Sequence, residues 1–406
     1  MSHRTPRRLL VAGLTTSILV LGACSSGDDG SATTTTEADS TTTTAGPLAL
    51  DPADVEVALT TYADQAHAAY TDVTTAAEAL NAALAAFAAA PSDATLKAAK
   101  QAWLDGRDLY GPTEAYRFYD GPIDDPDDGP EGQINAWPLD EAYIDYVDGD
   151  AAAGIINDPA GVPEITTGVL VASNEVGGET NISTGWHAIE FLLWGQDLSD
   201  DGPGARPLTD YTTSPVAERR TTYLTLLGQL LVDDLASVRD EWDPATGAYR
   251  EAFLADPDQA VASIFRSMGA LSKGELAGER IAVAYDSKDQ EDEHSCFSDN
   301  TTVDIAGNAI GVRAVYTADY PGIDGPSLSD AVAAVDPETD AALREELDAN
   351  VTAAEALDAP FDQLILGEDD APGRVALNDL IVSLQGAGDT VAELAAVLGY
   401  EISIEP

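Results

Sequence analysis

Apolar side chains recur every three or four residues along much of this chain, the spacing that places them on one face of an α-helix. Residues 52–90 are rich in alanine and have no interior glycine or proline, which predicts a long helix. Pro91 interrupts this stretch, and Ser92-Asp93 offers an N-cap for a second helix that is predicted to run to about Tyr110.

Two later stretches show the same periodicity. In the first, five apolar residues share one stripe, namely Leu224, Leu227, Leu231, Leu235 and Val238. The second stretch, near the C-terminus, contains Val375, Leu380, Ile381, Leu384, Val391, Leu394 and Leu398. Alternating β-branched patterns typical of strands are scarce. The sequence therefore predicts an all-α protein built from packed helical bundles.

Three loop-rich tracts interrupt the predicted helices, at residues 120–138, 149–165 and 195–215. The last tract separates two halves of similar size, which predicts two helical-bundle domains at residues 47–210 and 211–406. Gly121-Pro122-Ile123-Asp124 has a partial counterpart in Pro321-Gly322-Ile323-Asp324. This similarity is consistent with an origin of the two halves by duplication of one helical unit.

The N-terminus has the layout of an export signal, with three arginines before an apolar run from Leu9 to Leu21. The run is too short to span a bilayer comfortably. It ends in Leu21-Gly22-Ala23-Cys24, which resembles a bacterial lipobox. We therefore expect residues 1–23 to be a lipoprotein signal peptide and Cys24 to carry the lipid. An ordinary cleaved signal is the alternative, and Arg7-Arg8 also permits twin-arginine export.

Residues 24–46 are a threonine-rich stretch of low complexity with little apolar surface to bury, so we expect a disordered tether. The predicted location is the bacterial cell envelope, on the outer face of the cytoplasmic membrane or the periplasmic side. The chain has two cysteines, and a lipidated Cys24 leaves Cys296 without a disulfide partner.

The strong negative charge of the chain limits the classes of molecule that it can bind. Its 406 residues include 72 acidic and 19 basic side chains, a net charge of −53, while 44% of the residues are apolar and can form a core. Such a chain would be repelled by a phosphate backbone, so nucleic acid is not expected as a partner. The negative field suits cation binding, although acidity also serves solubility alone.

The first segment with candidate chemistry is Gly185-Trp186-His187-Ala188-Ile189-Glu190. On a helix, His187 and Glu190 are three residues apart and share a face, so their imidazole and carboxylate can converge on one ion. The H-E-x-x-H motif of zinc proteases is absent. The alternative interpretation is a His–Glu pair that only satisfies its own hydrogen bonds.

A second segment combines charged and aromatic residues. Glu114 and Arg117 have the spacing of a helical ion pair. The acidic loop at residues 124–131 fails the EF-hand pattern, because Pro126 falls where a ligand is needed, and leaves only a loose calcium site as an alternative.

A third segment, residues 289–304, carries six acidic side chains together with His294 and Cys296, which makes it a candidate for cation binding. The alternative is a solvated acidic turn that caps the next helix through Ser298 or Asp299. A catalytic pair of His294 and Cys296, as in a cysteine protease, is not expected, because side chains two positions apart point in different directions both in an extended chain and on a helix.

Four motifs together resemble the imelysin family, namely GWHAIEFLLWGQD, TEAYRFYDGPID, INAWPLDEAYIDY and GELAGERIAVAYDSKDQEDEHSCFSDNT. The resemblance extends from about residue 50 to the C-terminus, and the family hallmark G-x-H-x-x-E stands here as Gly185, His187 and Glu190. It implies an all-helical fold of two bundle-like domains, with the functional site where they meet. It also implies an exported bacterial protein linked to iron uptake, in some members beside an iron permease and a peroxidase-like partner.

The resemblance also implies site residues. His187 and Glu190 match the hallmark and are expected metal ligands, with Glu114 of the TEAYRF segment as a third. Other positions match the family as further ligands or as residues that support the ligands, namely Arg117, Asp124, Glu279, His294, Ser298 and Asp299. Carboxylates suit Fe(III) and a histidine also admits Zn(II), Cu(II) and Fe(II), so iron is the expected metal, with zinc or copper as alternatives.

Three functions follow from this sequence. The first is a lipid-anchored protein that captures iron or an iron complex for uptake, with an iron permease and a peroxidase-like protein as expected partners and the membrane contacted through Cys24. The second is a metallopeptidase, in which Glu190 would have to serve as ligand or as general base but not both. The third is a structural surface lipoprotein whose His187–Glu190 pair only holds helices together. The sequence favours the first.

Overall fold

A computed structural model describes residues 48–199 and 202–404, which belong to one compact unit. The described residues form helices and loops without a strand, and a single isolated bridge joins Val147 and Asp150. The all-α prediction is therefore confirmed. The expected signal peptide (residues 1–23), tether (residues 24–46) and lipidated Cys24 lie outside the described residues and stay predictions.

Sixteen α-helices lie within the described residues. The first eight are α1 (Pro52–Ala89), α2 (Asp93–Tyr110), α3 (Glu131–Ile134), α4 (Glu141–Ile144), α5 (Gly154–Asn157), α6 (Thr167–Ser173), α7 (Gly185–Trp194) and α8 (Ala217–Glu241). The others are α9 (Ala248–Ala255), α10 (Pro257–Gly269), α11 (Val283–Ser287), α12 (Thr301–Thr317), α13 (Leu328–Val335), α14 (Pro337–Glu355), α15 (Phe361–Ile365) and α16 (Pro372–Leu398). A π-helix spans Ala270–Ala282, and 3₁₀ helices span Gly111–Tyr116, Leu208–Tyr211 and Gln290–Asp292.

Local sequence signals fix the ends of the first two helices. The Asp51 carboxylate caps α1, which continues to Ala89 as the alanine-rich pattern predicts. Ser92 caps α2 in a capping box with Thr95, and α2 ends at Tyr110 as predicted. Because both helices bury apolar residues at intervals of three and four, they pack against each other along one face.

Contacts between the long helices cross the predicted domain boundary. Helix α1 packs against both α2 and α8, although α8 lies beyond residue 210. Helix α16 packs against the π-helix, α14 and α10. The predicted division into residues 47–210 and 211–406, and the predicted duplication, stay predictions.

The two apolar stripes largely coincide with buried helix faces. The stripe from Leu224 to Val238 is buried along α8, as expected. In α16 the other residues of the predicted stripe are buried, namely Leu380, Ile381, Leu384, Val391, Leu394 and Leu398, whereas Val375 is exposed and lies outside the core. By length and composition α16 is also the one helix of the described part that could cross a membrane, but it packs on three other helices.

A close approach of backbones positions one wall of the site. Helix α12 packs against the 3₁₀ helix Gly111–Tyr116, and the Asn308 side-chain amide donates to the Gly111 carbonyl over 2.9 Å. A Cβ atom at Gly311 would lie 2.3 Å from the Pro112 carbonyl oxygen, so only glycine allows this contact. The approach places Glu114, which belongs to the 3₁₀ helix, beside residues of the π-helix.

Candidate functional site

His187 and Glu190 lie in α7, a helix whose residues are all buried. The helix begins at Gly185, where φ is +85° and a Cβ atom would lie 2.4 Å from the Ile134 carbonyl oxygen. The glycine of the hallmark is therefore required by backbone geometry. It fixes where α7 starts, and hence where His187 lies.

The Glu190 carboxylate is held at both oxygens. Its Oε2 lies 3.0 Å from His187 Nδ1, while its Oε1 accepts hydrogen bonds from Ser298, at 3.0 Å from the backbone N–H and 2.6 Å from the hydroxyl. Burial raises the pKa of Glu190 to about 8, although the two Ser298 donors act in the opposite direction. Glu190 therefore orients His187 in this structure.

The other nitrogen of His187 has no partner among the described residues. Burial, with His294 and Arg107 nearby, holds the pKa of His187 well below its usual value, so the ring is neutral. When Glu190 is ionised, Nδ1–H donates to it and the Nε2 lone pair remains buried and unpaired. A carboxylate that orients an imidazole in this manner is typical of metal-binding histidines.

His294 forms a second unit of the same kind. Its Nδ1 lies 2.9 Å from Asp304 Oδ2, which also accepts from the Ser295 hydroxyl over 2.5 Å. Burial lowers the pKa of His294 to about 4, with Arg280 acting in the same direction and Asp304 opposing it. The rings of His187 and His294 are 4.7 Å apart, so two carboxylate-held imidazoles stand side by side.

Asp304 is itself neutralised by a buried arginine. Arg107 donates to both carboxylate oxygens, over 3.3 Å from Nε and 2.9 Å from Nη2. Burial alone would raise the pKa of Asp304, but Arg107 and the hydrogen bond to His294 hold it well below the usual range. Arg107 also donates to Asn135, which in turn donates to Glu114. This chain of hydrogen bonds connects the histidine pair to the charged residues around Glu114.

A cavity of about 340 Å³ opens beside the histidine pair. His294 and Trp137 are among its lining residues, and the Trp137 ring lies 4.9 Å from that of His187. His187 contacts both of these residues without lining the cavity itself. The cavity walls also carry Arg117, Arg280 and five carboxylates, namely Glu131, Glu175, Glu275, Glu279 and Asp292.

Glu114 lies in a cluster with two arginines. Its Oε2 accepts from Arg117 over 2.7 Å and from Arg280 over 2.6 Å, and its Oε1 accepts from Asn135 over 3.2 Å. Burial opposes ionisation, but the two guanidinium groups hold the pKa of Glu114 well below its usual range. The structure thus places His187 and Glu190 in contact, whereas Glu114 is paired with Arg117 and Arg280. The expected role of Glu114 as a third metal ligand stays a prediction.

The π-helix supplies one wall of the cavity. Arg280 donates to Glu275 from Nε over 3.2 Å and from Nη2 over 3.0 Å, although the two residues are five positions apart. In an α-helix residues five apart point about 140° away from each other. The π-helix hydrogen-bonding pattern links positions five apart and allows the pair to meet.

The remaining predicted residues divide between the cavity and its surroundings. Arg117, Glu279 and His294 line the cavity, and Ser298 holds Glu190. Asp124 accepts from the backbone N–H groups of Gly121 and Phe118 and so stabilises a turn. Asp299 lies among other carboxylates, and burial together with Asp197 and Asp362 raises its pKa to about 7.

One sequence interpretation of the third segment is corrected by the structure. Helix α12 begins after Asn300 rather than being capped by Ser298 or Asp299, because Ser298 is engaged with Glu190 and Asp299 has a positive φ of 58°. Cys296 is buried, and burial raises the pKa of its thiol well above the usual value. Within residues 48–199 and 202–404, no three His, Cys, Asp or Glu side chains are placed to hold one metal ion.

Three comparisons with known proteins agree. The sequence model of the family described as imelysin, peptidase M75, matches residues 66–391. Iron-regulated protein A of Synechococcus elongatus is 25% identical over 257 residues, which span 61% of this chain and 60% of that protein. The crystal structure of a protein assigned as an iron-regulated protein A precursor, from Parabacteroides distasonis, is similar with a TM-score of 0.65 and 19% identity, over 87% of this chain and 97% of the other.

Proposed function

This chain belongs to the imelysin family, and from that premise we propose that it captures iron, as the ion or as a complex, at the histidine pair beside the cavity. The names of two relatives, both iron-regulated proteins, support iron as the cargo. Imidazole nitrogen beside carboxylate oxygen is a donor set that iron accepts in both oxidation states.

The observation that carries this proposal is His187 Nε2, a buried polar atom with no hydrogen-bond partner among the described residues. Leaving such an atom unpaired costs about 1–3 kcal/mol, which a ligand would recover. Glu190 and Ser298 fix the orientation of the ring, so its free nitrogen is preorganised. The histidine would provide the anchor, and the remaining donors would come from cavity carboxylates that move, from water or from groups that accompany the metal.

The location and partners belong to the same proposal. Cys24 would carry a lipid that holds the protein at the cell envelope, and the precursor form of the Parabacteroides relative supports export. An iron permease and a peroxidase-like protein would receive or process the cargo.

The contacts of Glu190 support metal capture over peptide hydrolysis. Both of its carboxylate oxygens are engaged, by His187 and by Ser298, so neither is left to activate a water molecule as a general base.

His187→Ala is expected to lower the amount of iron retained by the full-length protein. Purified protein would be incubated with Fe(II) under nitrogen, desalted and assayed by elemental analysis. Loss of the anchoring nitrogen should reduce affinity at least about tenfold, the lower range found for residues that support a metal. Zinc and copper, assayed in the same manner, would identify the preferred metal.

His67→Ala is the matched control for this measurement. His67 lies on α1 within 3.8 Å of Asp243, and both are partly exposed. Its replacement should leave iron retention unchanged. Equal iron retention in His187→Ala and the natural protein, with both folded by circular dichroism, would remove the histidine pair as the binding site.

A further inference from the structure

The walls of the cavity carry more negative than positive charge. Two guanidinium groups, those of Arg117 and Arg280, are opposed by six carboxylates when Glu114 is counted with the five of the cavity lining. The imbalance lies at the site itself and adds to the acidity of the whole chain.

The two positive charges are already paired. Arg117 contacts Glu114 over 2.7 Å and Glu131 over 2.9 Å, and Arg280 contacts Glu114 over 2.6 Å and Glu275 over 3.0 Å. Each guanidinium therefore lies between two carboxylates. Neither presents an unpaired charge to an anion that enters the cavity.

Three carboxylates of the lining, those of Glu175, Glu279 and Asp292, make no ion pair with any described residue. Their charge is left to act on whatever occupies the cavity.

We propose that the cavity selects its cargo by charge, admitting the metal as a hydrated cation and rejecting anionic chelates of the same metal. This selection rests on the proposed function and decides between its two forms of cargo. A concave site whose lining has an excess of one sign of charge raises the local concentration of ions of the opposite sign and repels ions of its own sign. His187 Nε2 would then replace water on the ion after entry.

The test compares one metal in one oxidation state at two charges. Fe(II) under nitrogen would be offered to the full-length protein as the aquo ion and as its nitrilotriacetate complex, which is singly negative and keeps open coordination positions. Radiolabelled nitrilotriacetate would report whether the chelator stays with the metal. The natural protein should bind the ion at least about tenfold more tightly than the intact complex.

A triple variant separates charge from coordination. Glu175→Gln, Glu279→Gln and Asp292→Asn together should weaken binding of the ion about tenfold and strengthen binding of the complex by a similar factor. The matched control is Glu338→Gln with Glu345→Gln and Glu355→Gln, three exposed positions on α14 that change the net charge equally. The control should shift neither affinity by more than about twofold, because solvent and salt screen distant charges.

The outcomes separate this proposal from the function on which it rests. Equal binding of ion and complex by the natural protein would overturn charge selection while leaving iron capture intact. So would a triple variant that shifts both affinities in the same direction, or a control that acts like the triple variant. Binding of neither form would overturn iron capture itself.

Discussion

Asp304→Ala is expected to lower the free energy of unfolding by about 3–5 kcal/mol, because it leaves the buried Arg107 guanidinium without a counter-charge. The same change releases His294 and Ser295, which both bond to this carboxylate. Urea unfolding followed by circular dichroism would measure the loss. Iron retention should fall as well, since His294 would no longer be oriented beside His187.

The contribution of Asp304 should depend on pH in a defined direction. Its pKa is lower in the folded protein than the value of about 3.9 in an unfolded chain, so its stabilising effect is present above that value. The effect is lost progressively as the pH falls below about 4. The difference in unfolding free energy between the natural protein and Asp304→Ala should therefore be constant from pH 5 to 7 and shrink at about pH 3.

Asp348→Ala is the control for this prediction. Asp348 pairs with Arg313 over 3.4 Å at the surface, where solvent screens the interaction. Its loss should cost less than about 1 kcal/mol. A comparable cost for both replacements would show that burial of the Arg107–Asp304 pair does not decide its importance.

Gly185→Ala is expected to destabilise the protein by at least about 3 kcal/mol and to displace His187. The new Cβ would be held in a left-handed backbone conformation, at a cost of about 1–3 kcal/mol. It would also lie 2.4 Å from the Ile134 carbonyl oxygen and 2.8 Å from that of Gln133, so the backbone must shift. Thermal unfolding and iron retention should both decline.

Gly386→Ala provides the opposite expectation. Gly386 lies in the interior of α16, and a Cβ atom there would have no atom within 4 Å apart from its chain neighbours and the nearby backbone of its own helix. Alanine should stabilise the helix by about 0.5–1 kcal/mol. A similar loss of stability in both glycine variants would contradict the special role given to the backbone at Gly185.

The fold was largely predictable because the helices follow from local signals. Alanine content, the Ser92 cap and the stripe along α8 each determine an element within one stretch of chain. The hallmark residues His187 and Glu190 were found because their spacing of three is the ordinary spacing of neighbours on a helix. Val375 shows the limit of this reasoning, since periodicity alone does not reveal which turn of a helix reaches the core.

The rest of the candidate site depends on contacts between distant segments. Ser298 reaches Glu190 from 108 positions away, and Arg107 reaches Asp304 from 197. Such partners carry no signal in local spacing. Trp137 was therefore missed as a member of the site, and Asp304 entered only as one of the six acidic residues of segment 289–304, not as the carboxylate that holds His294. Glu275 and Arg280 were missed because five positions is not a spacing at which helical neighbours are sought.

The π-helix at Ala270–Ala282 gives the site an unusual route for evolutionary change. A π-helix can arise from an α-helix by insertion of one residue, and removal of one residue between Glu275 and Arg280 would return the stretch to the α period. Glu275 and Arg280 would then be four positions apart, a spacing at which α-helical neighbours still meet, so the ion pair is expected to survive the deletion. The residues between them would turn to new directions, with no substitution anywhere in the cavity. A deletion of one codon would thus reshape this wall of the cavity while keeping the ion pair within it. We expect related proteins to differ in the length of this segment as well as in its composition.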